Sequence, residues 1–174
     1  MTKTNKEIHT IKLVFILFIL GFGILIGGST IWEIHKEFQT MLDYAKIESN
    51  ASFNKDLLYR RWAAMHGGVY VPITDKTPPN PYLDFIPDRD VETKNGKKLT
   101  LINPAYMLRQ VFEIAKEQYG VRGHITSLNP IRPENIPDEW ELKALNLFEQ
   151  GDLEFSSVEY MNGKEYFRYM HAMI

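Results

Sequence analysis

Cysteine is absent from the 174 residues of the chain. Its absence excludes disulfide bonds, thiolate metal sites, a cysteine nucleophile and covalent attachment of a c-type haem within these residues. An excess of one charge is also absent, because 20 Lys and Arg face 22 Asp and Glu, for a net charge of −2. Nucleic-acid-binding faces are usually strongly basic, so we expect no nucleic-acid partner.

Motifs that mark catalysis are missing as well. No Ser/His/Asp order, phosphate-binding loop, paired-carboxylate motif or kinase signature is apparent. We therefore expect that this chain is not an enzyme and that no residue in it is catalytic.

Charged residues are missing from one long stretch, which begins at Leu13 and ends at Trp32. At about 1.5 Å per residue a helix of this length could cross a hydrocarbon core of about 30 Å. Lys3, Lys6 and Lys12 precede it against the single acid Glu7. This lysine excess predicts a cytoplasmic N-terminus and an exported remainder, hence a single-pass protein of the inner (cytoplasmic) membrane whose partner is the lipid bilayer.

A cleaved signal peptide is the alternative, since Gly27-Gly28-Ser29 are small enough for a cleavage site. The apolar run continues through Ile31-Trp32, which favours an uncleaved membrane anchor. We predict a cytoplasmic arm over residues 1–12, a transmembrane helix over 13–32, a juxtamembrane stalk helix over 33–65 and an exported domain over 66–174.

The predicted stalk helix carries apolar residues at helical spacing, with a plausible interruption at residues 49–54, where Ser and Asn are poor helix formers. The stripe could join two copies in a homodimer or pack on its own domain; the spacing leaves both open. Its members are Ile34, Phe38, Met41, Ala45, Leu58, Trp62 and Met65.

The stalk helix should stop at Gly67 and Gly68, because glycine adopts backbone angles that other residues avoid. Val69-Tyr70-Val71 then reads as a strand. This corner is the predicted hinge, where helix motion could meet a sheet.

Further elements follow from local signals. Residues 88–92 look acidic enough for a metal but match no calcium loop, so we favour a solvated turn with ion pairs. We predict helices after the caps Asn103-Pro104 and Pro137-Asp138, and a hairpin around Asn162-Gly163. Strands are expected over 98–102, 121–128, 156–160 and 164–173. The fold class is α+β, an antiparallel sheet with flanking helices.

Three exported histidines and two arginines are candidate ligand contacts. The histidines are His66, His124 and His171, and His66 stands out because it adjoins the glycine corner. Arg61 and Arg132 could clamp an anion or propionate. The alternative for each histidine is a hydrogen-bonded structural role, and for each arginine a salt bridge to local acids. We expect Trp62, Tyr70 and Tyr106 in the core.

From about Phe53 onward the chain resembles a family of bacterial periplasmic sensor domains with a PAS-like fold and a c-type haem, long catalogued as a domain of unknown function. The matching stretches are Arg61-Trp62 with Gly67-Gly68-Val69-Tyr70-Val71, Thr77-Pro78-Pro79-Asn80-Pro81-Tyr82-Leu83, Leu99-Thr100-Leu101-Ile102-Asn103-Pro104-Ala105-Tyr106-Met107, Tyr119-Gly120-Val121-Arg122-Gly123-His124 and Ile131-Arg132-Pro133-Glu134-Asn135.

The resemblance implies a domain that often precedes a histidine kinase or a cyclic-dinucleotide module. Haem-binding relatives carry Cys-x-x-Cys-His shortly after the segment equivalent to residues 166–174, so we expect this chain to be cut short before that motif and to hold no haem as given. In an intact relative a haem would lie near His171. His66, His171, Arg61 and Arg132 are therefore the candidates for a haem or ligand pocket.

Three functions remain open on this basis. The first is a membrane-anchored sensor input domain for an unknown small ligand. The second is part of a membrane-tethered c-type haem electron carrier. The third is a haem-free small-molecule binding module.

Overall fold

The computed structural model describes residues 3–173, with side chains from residue 8 to residue 173. By its internal packing the chain divides into two compact units, Met1–Ile47 and Glu48–Ile174. The predicted boundaries at residues 12 and 32 follow membrane signals and the one at residue 65 follows the glycine stop; as domain boundaries all three stay predictions.

The first element, α1, is a helix over Lys3–Met65. It contains an 18-residue window with mean hydropathy 2.5, none of which is buried within the protein. One N-terminal helix is therefore long and apolar enough to span a membrane. Residues 49–54 remain helical, so the predicted interruption is absent. Asn54 there donates to the Oδ1 of Asn50 at 2.6 Å, and this side-chain bond offsets the poor helix propensity of the segment.

Three short antiparallel strands follow α1 in the second unit. They are β1 (Val69–Pro72), β2 (Asp90–Glu92) and β3 (Lys98–Ile102), in the spatial order β1-β3-β2. The turn between β2 and β3 contains Gly96, at φ +78°.

The acidic turn predicted at residues 88–92 is wrong in part, because β2 lies within it. Arg89 forms ion pairs with Asp84 and Asp90, as the prediction of local ion pairs required. A strand was missed because three residues are too few to show an alternating pattern; β2 forms because β3 offers it a partner edge.

Two capped helices follow β3 along the chain. Helix α2 spans Pro104–Tyr119, with Asn103 accepting from the Tyr106 amide at 2.9 Å and Gly120 closing the helix in the left-handed region. Helix α3 spans Glu139–Glu149. Both helix starts are confirmed.

The strand predicted over residues 121–128 is wrong, because the segment pairs with no strand among the described residues. A Cβ added to Gly123 would lie 2.4 Å from the Phe112 ring, so the segment packs closely on α2. Its polar side chains bond to the following turn, where the Thr126 hydroxyl donates to the Asn135 carbonyl at 2.7 Å. The β-branched residues extend the chain, but packing on the helix replaces strand pairing.

The last two strands, β4 (Glu154–Met161) and β5 (Lys164–His171), form the predicted hairpin. Asn162 and Gly163 form its turn with φ of +52° and +79°. This hairpin is a sheet separate from β1-β3-β2. The single antiparallel sheet that we predicted is therefore two small ones within the described residues, while the mixture of helices and antiparallel sheet is confirmed.

The core of the second unit is small. Tyr106 is buried as predicted, whereas Trp62 and Tyr70 are largely exposed and the prediction for them is wrong. Trp62 is exposed because its neighbour Ala63, which is fully buried, occupies the inward face of α1. The core is formed by Ala63, Leu83, Leu101, Ile102, Tyr106, Leu108 and Ala144.

Candidate functional site

The corner after α1 is built as the glycines predict. The amide of Gly68 donates to the Ala63 carbonyl at 2.8 Å, and Gly67 and Gly68 take φ of +71° and +99°. A Cβ on Gly68 would lie 2.8 Å from Leu101 Cδ1 and 2.9 Å from the Ile102 carbonyl oxygen. The end of α1 is thereby held directly against β3, and hinge motion at this point stays a prediction.

An apolar groove lies on the outward face of the end of α1. It is shallow and open to solvent, and all of its lining residues belong to α1. Leu58 is 67% exposed, Trp62 53% and Met65 75%. Arg61 makes no ion pair with any described residue. We call this surface the corner groove; it is lined by Leu58, Tyr59, Arg61, Trp62 and Met65.

His66 borders the corner groove but is engaged locally. Its Nδ1 lies 2.7 Å from the Trp62 carbonyl oxygen, and its ring lies 4.5 Å from the Trp62 ring. A carbonyl oxygen can only accept, so Nδ1 carries the proton in this hydrogen bond. In the neutral ring Nε2 then keeps a lone pair, which could accept a hydrogen bond or bind a metal.

His171 lies elsewhere in the second unit, on β5. Its ring stacks on Phe53 of α1 at 4.6 Å, and its Nδ1 lies 2.8 Å from the Ala172 carbonyl oxygen. Asn50 of α1 donates to the hydroxyl of Tyr169 on the same strand at 2.7 Å. His171 therefore ties the hairpin to the helix, and no described contact joins it to His66.

Arg132 forms a salt bridge to a nearby acid, which was the alternative to a ligand-binding role. Its Nε lies 3.3 Å from Glu134 Oε2, and its guanidinium lies 4.5 Å above the Tyr82 ring. No described contact joins Arg132 to Arg61, His66 or His171. Of the four predicted pocket residues, Arg61 and His66 both lie at the end of α1, whereas His171 and Arg132 lie elsewhere in the second unit. Their role as ligand contacts stays a prediction.

A polar cluster centred on His124 is the feature that sequence reasoning missed. The His124 Nδ1 lies 2.8 Å from Glu141 Oε1 and its Nε2 lies 3.0 Å from the Glu134 carbonyl oxygen. Arg168 of β5 lies 2.7 Å from Asp138 Oδ2 and 3.7 Å from Glu141 Oε1. We call this the His124 cluster; it comprises His124, Asp138, Trp140, Glu141 and Arg168.

Helix α3 positions the carboxylates of this cluster. Asp138 accepts from the Glu141 amide at 2.8 Å, and Glu141 Oε2 accepts from the Asp138 amide at 2.9 Å. This reciprocal capping box fixes both side chains at the start of the helix. The Arg168 guanidinium lies 4.2 Å above the Trp140 ring. The spacing Asp-x-x-Glu predicts the capping box from the sequence. No local sequence pattern predicts that His124 and Arg168 contact the capping residues.

The pKa values of two groups in the cluster are shifted. Partial burial disfavours the charged form of His124, but its hydrogen bonds to Glu141 and to the Glu134 carbonyl outweigh that effect and raise its pKa above the ordinary value. Burial likewise opposes ionisation of Asp138, but the hydrogen bonds from the Glu141 amide and Arg168 prevail and lower its pKa. Both shifts favour the ionised forms that the geometry pairs.

Two observations concern the groups that could hold a metal ion or a haem. No group of three or more His, Asp or Glu side chains that could hold a metal ion occurs among the described residues. A c-type haem needs cysteine for its thioether bonds, and the 174 residues contain none. These residues do not fit a covalently attached haem.

Comparison with known proteins gives one family. Searches of curated proteins and of solved structures each find no significant match. The family model of the Tll0287-like proteins (Tll0287) matches residues 31–174. A match over this much of the chain, from the C-terminal end of the apolar segment through the second unit, shows that the chain belongs to the Tll0287-like family.

Proposed function

We propose that this chain is the membrane-anchored, periplasmic input domain of a bacterial signal-transduction protein. Its N-terminal arm lies in the cytoplasm, its apolar segment crosses the inner membrane, and the second unit senses a small ligand outside. The observation that supports this most is that the apolar segment lies in the same helix, α1, that ends at Met65, directly before the Gly67-Gly68 corner. A PAS-like ancestry, suggested by the sequence resemblance, fits the same role.

Coupling between α1 and the sheet has a physical basis at the corner. Ala63 is fully buried, and Gly68 leaves no room for a Cβ against β3. Packed interiors do not deform smoothly, so a displacement of the sheet has to be passed to the end of α1. A ligand that binds one arrangement of the sheet more tightly would then shift the position of the helix.

The signalling unit that we propose is a parallel homodimer. Its seam is the apolar stripe of α1, and the residues that support it are Leu58, Trp62 and Met65, which the second unit leaves exposed. Two copies anchored in one membrane by the same segment run in the same direction. Exposed apolar side chains of this size favour burial against a partner.

A haem-free binding module is the second candidate, and the corner groove favours it. The groove is mostly apolar and includes Arg61, which has no ionic partner among the described residues. A small apolar molecule with an anionic group would fit both properties. An electron carrier is not proposed from these residues, since they lack the cysteines that hold a c-type haem.

One experiment separates the two candidates. A spin label at E48C, an exposed position on α1, reports the distance between copies of the full chain in lipid nanodiscs. Fractions of a low-molecular-weight envelope extract are screened for a rise in melting temperature. A sensor predicts a defined distance that shifts with the stabilising fraction. Stabilisation without any change in distance supports the binding module, and the absence of a distance between copies contradicts the dimeric sensor.

A further inference from the structure

Both ring nitrogens of His124 face hydrogen-bond acceptors. Nδ1 lies 2.8 Å from a carboxylate oxygen of Glu141, and Nε2 lies 3.0 Å from the backbone carbonyl of Glu134. A neutral imidazole has a single N–H, so it could donate to only one of them and would set a lone pair against the other. Only the imidazolium form, with two N–H groups, satisfies both contacts.

The two acceptors belong to different elements. Glu141 is in the first turn of α3, with its side chain held by the capping box. Glu134 is in the one-turn 3₁₀ helix Pro133–Asn135, which has no side-chain cap of its own. We propose that His124 is a proton-controlled latch, which fastens this turn to α3 while its ring is protonated and releases it when the proton is lost.

The charges around His124 favour a closed latch. From α3, Glu141 and Asp138 face the ring side of the cluster, and Arg168 of β5 pairs with both carboxylates. The Glu134 carboxylate is engaged by Arg132, so that the turn presents its carbonyl, not its charge, to the ring. On the histidine's own segment, Arg122 lies over the Tyr166 ring, 6.0 Å from its centre. The nearest charges are thus the carboxylates of Glu141 and Asp138 and their shared partner Arg168.

Loss of the proton would break one of the two His124 hydrogen bonds and leave the other in place. Glu141 is 8% exposed and keeps Arg168 beside it, and its side chain is held by the capping box, so its carboxylate oxygen retains the remaining N–H of His124. The Glu134 carbonyl then loses its donor. Thr126 still donates to the Asn135 carbonyl at 2.7 Å. The turn would therefore be held less firmly but would stay bonded to the segment that carries His124. His124 is 36% exposed, which gives the proton a direct route to solvent.

The released turn carries Arg132 at its start. Arg132 lies over the Tyr82 ring in the closed state. The latch would therefore control the placement of Arg132 through protonation, whatever small molecule the domain binds, and does not depend on a sensor role.

The test is a pH titration of the full chain in detergent micelles, labelled with ¹⁵N in the imidazole rings of its five histidines. The His124 resonances are assigned with H124N. Protection of the Asn135 and Ile136 amides, whose hydrogen bonds close the turn, is measured at each pH, with the Met107 amide of α2 as reference. Exposed His66, which has one acceptor instead of two, is the matched internal control.

The latch predicts that His124 stays doubly protonated to a higher pH than 6.5, its ordinary pKa. Protection of the Asn135 and Ile136 amides should fall across the same titration, with the Met107 amide unchanged. E141Q, which keeps an oxygen for the cap, should lower the His124 midpoint by about 1 pH unit. Titration of His124 at or below 6.5, or amide protection that ignores its titration, would overturn the proposal. Both readouts are measured on the unmodified protein, and H124N serves only to assign the His124 resonances.

Discussion

At the residue scale, Gly67 and Gly68 look alike in the sequence but differ in what surrounds them. Both take positive φ, which costs a residue with a Cβ about 1–2 kcal/mol. A Cβ on Gly67 would meet nothing within 4 Å, whereas one on Gly68 would meet Leu101 and the Ile102 backbone. The spacing of the helix-to-strand corner therefore depends on Gly68.

We expect G68A to destabilise the second unit more than G67A does. The backbone penalty is shared, and the clash with β3 should add about 1–3 kcal/mol to the loss in G68A. Chemical unfolding of the full chain in detergent, followed by tryptophan fluorescence, measures both variants, with G67A as the matched control. Equal losses in the two variants would mean that the corner is not packed against β3 as described.

At the element scale, Asp138 has two roles at the start of α3. It caps the helix and it pairs with Arg168. Because its folded-state pKa is lowered, its contribution to stability is present above the unfolded value of 3.8 and is lost as the pH falls below it.

D138N should separate these roles, since Asn caps helices about as well as Asp. At neutral pH D138N should lose about 0.2–1 kcal/mol, as expected for a partly exposed ion pair, and D138A about 1 kcal/mol more. Toward pH 3, below the ordinary pKa of 3.8, the difference between wild type and D138N should become smaller. Urea unfolding at both pH values tests this, and a difference that persists unchanged in acid would show that the carboxylate charge is not the cause.

Elements that depend on the backbone preferences of adjacent residues could be predicted from the sequence. Elements that depend on pairing with residues distant in the chain could not. Asn103-Pro104 and Asn162-Gly163 fix a helix start and a hairpin turn through their own backbone preferences. Residues 121–128 have strand-forming side chains, yet Gly123 packs on Phe112 and no strand pairs with them. Local preference cannot supply a partner, because tertiary contacts decide where an extended segment lies.

The candidate site residues show the same difference between local partners, which could be predicted, and distant partners, which could not. The local partner of Arg132 stands two residues away and was foreseeable as a salt bridge. The His124 cluster was missed because its members come from a loop, from α3 and from β5, which only the fold brings together. Trp62 was assigned to the core because helical spacing identifies a stripe without saying which stripe faces inward.

At the scale of the whole molecule, the exposed stripe of α1 predicts association of two copies. Leu58 lies on the stripe, and Ala64 is also exposed but lies about 120° away around the helix at about 100° per residue. The native chain contains no cysteine, so single substitutions give clean crosslinking. In oxidised membranes L58C should form covalent dimers and A64C far fewer. Equal yields from the two variants would contradict a seam on this face.

The measurement that bears most directly on the whole account is the side of the membrane on which each end of α1 lies. Two single-cysteine variants suffice, T4C before the apolar segment and K94C at an exposed turn of the second unit. Intact cells are treated with a membrane-impermeant maleimide. A membrane-spanning α1 with an exported sensing unit predicts that K94C is labelled at once and T4C only after the cells are permeabilised. Labelling of both or of neither in intact cells would place the two positions on one side and contradict the transmembrane input domain.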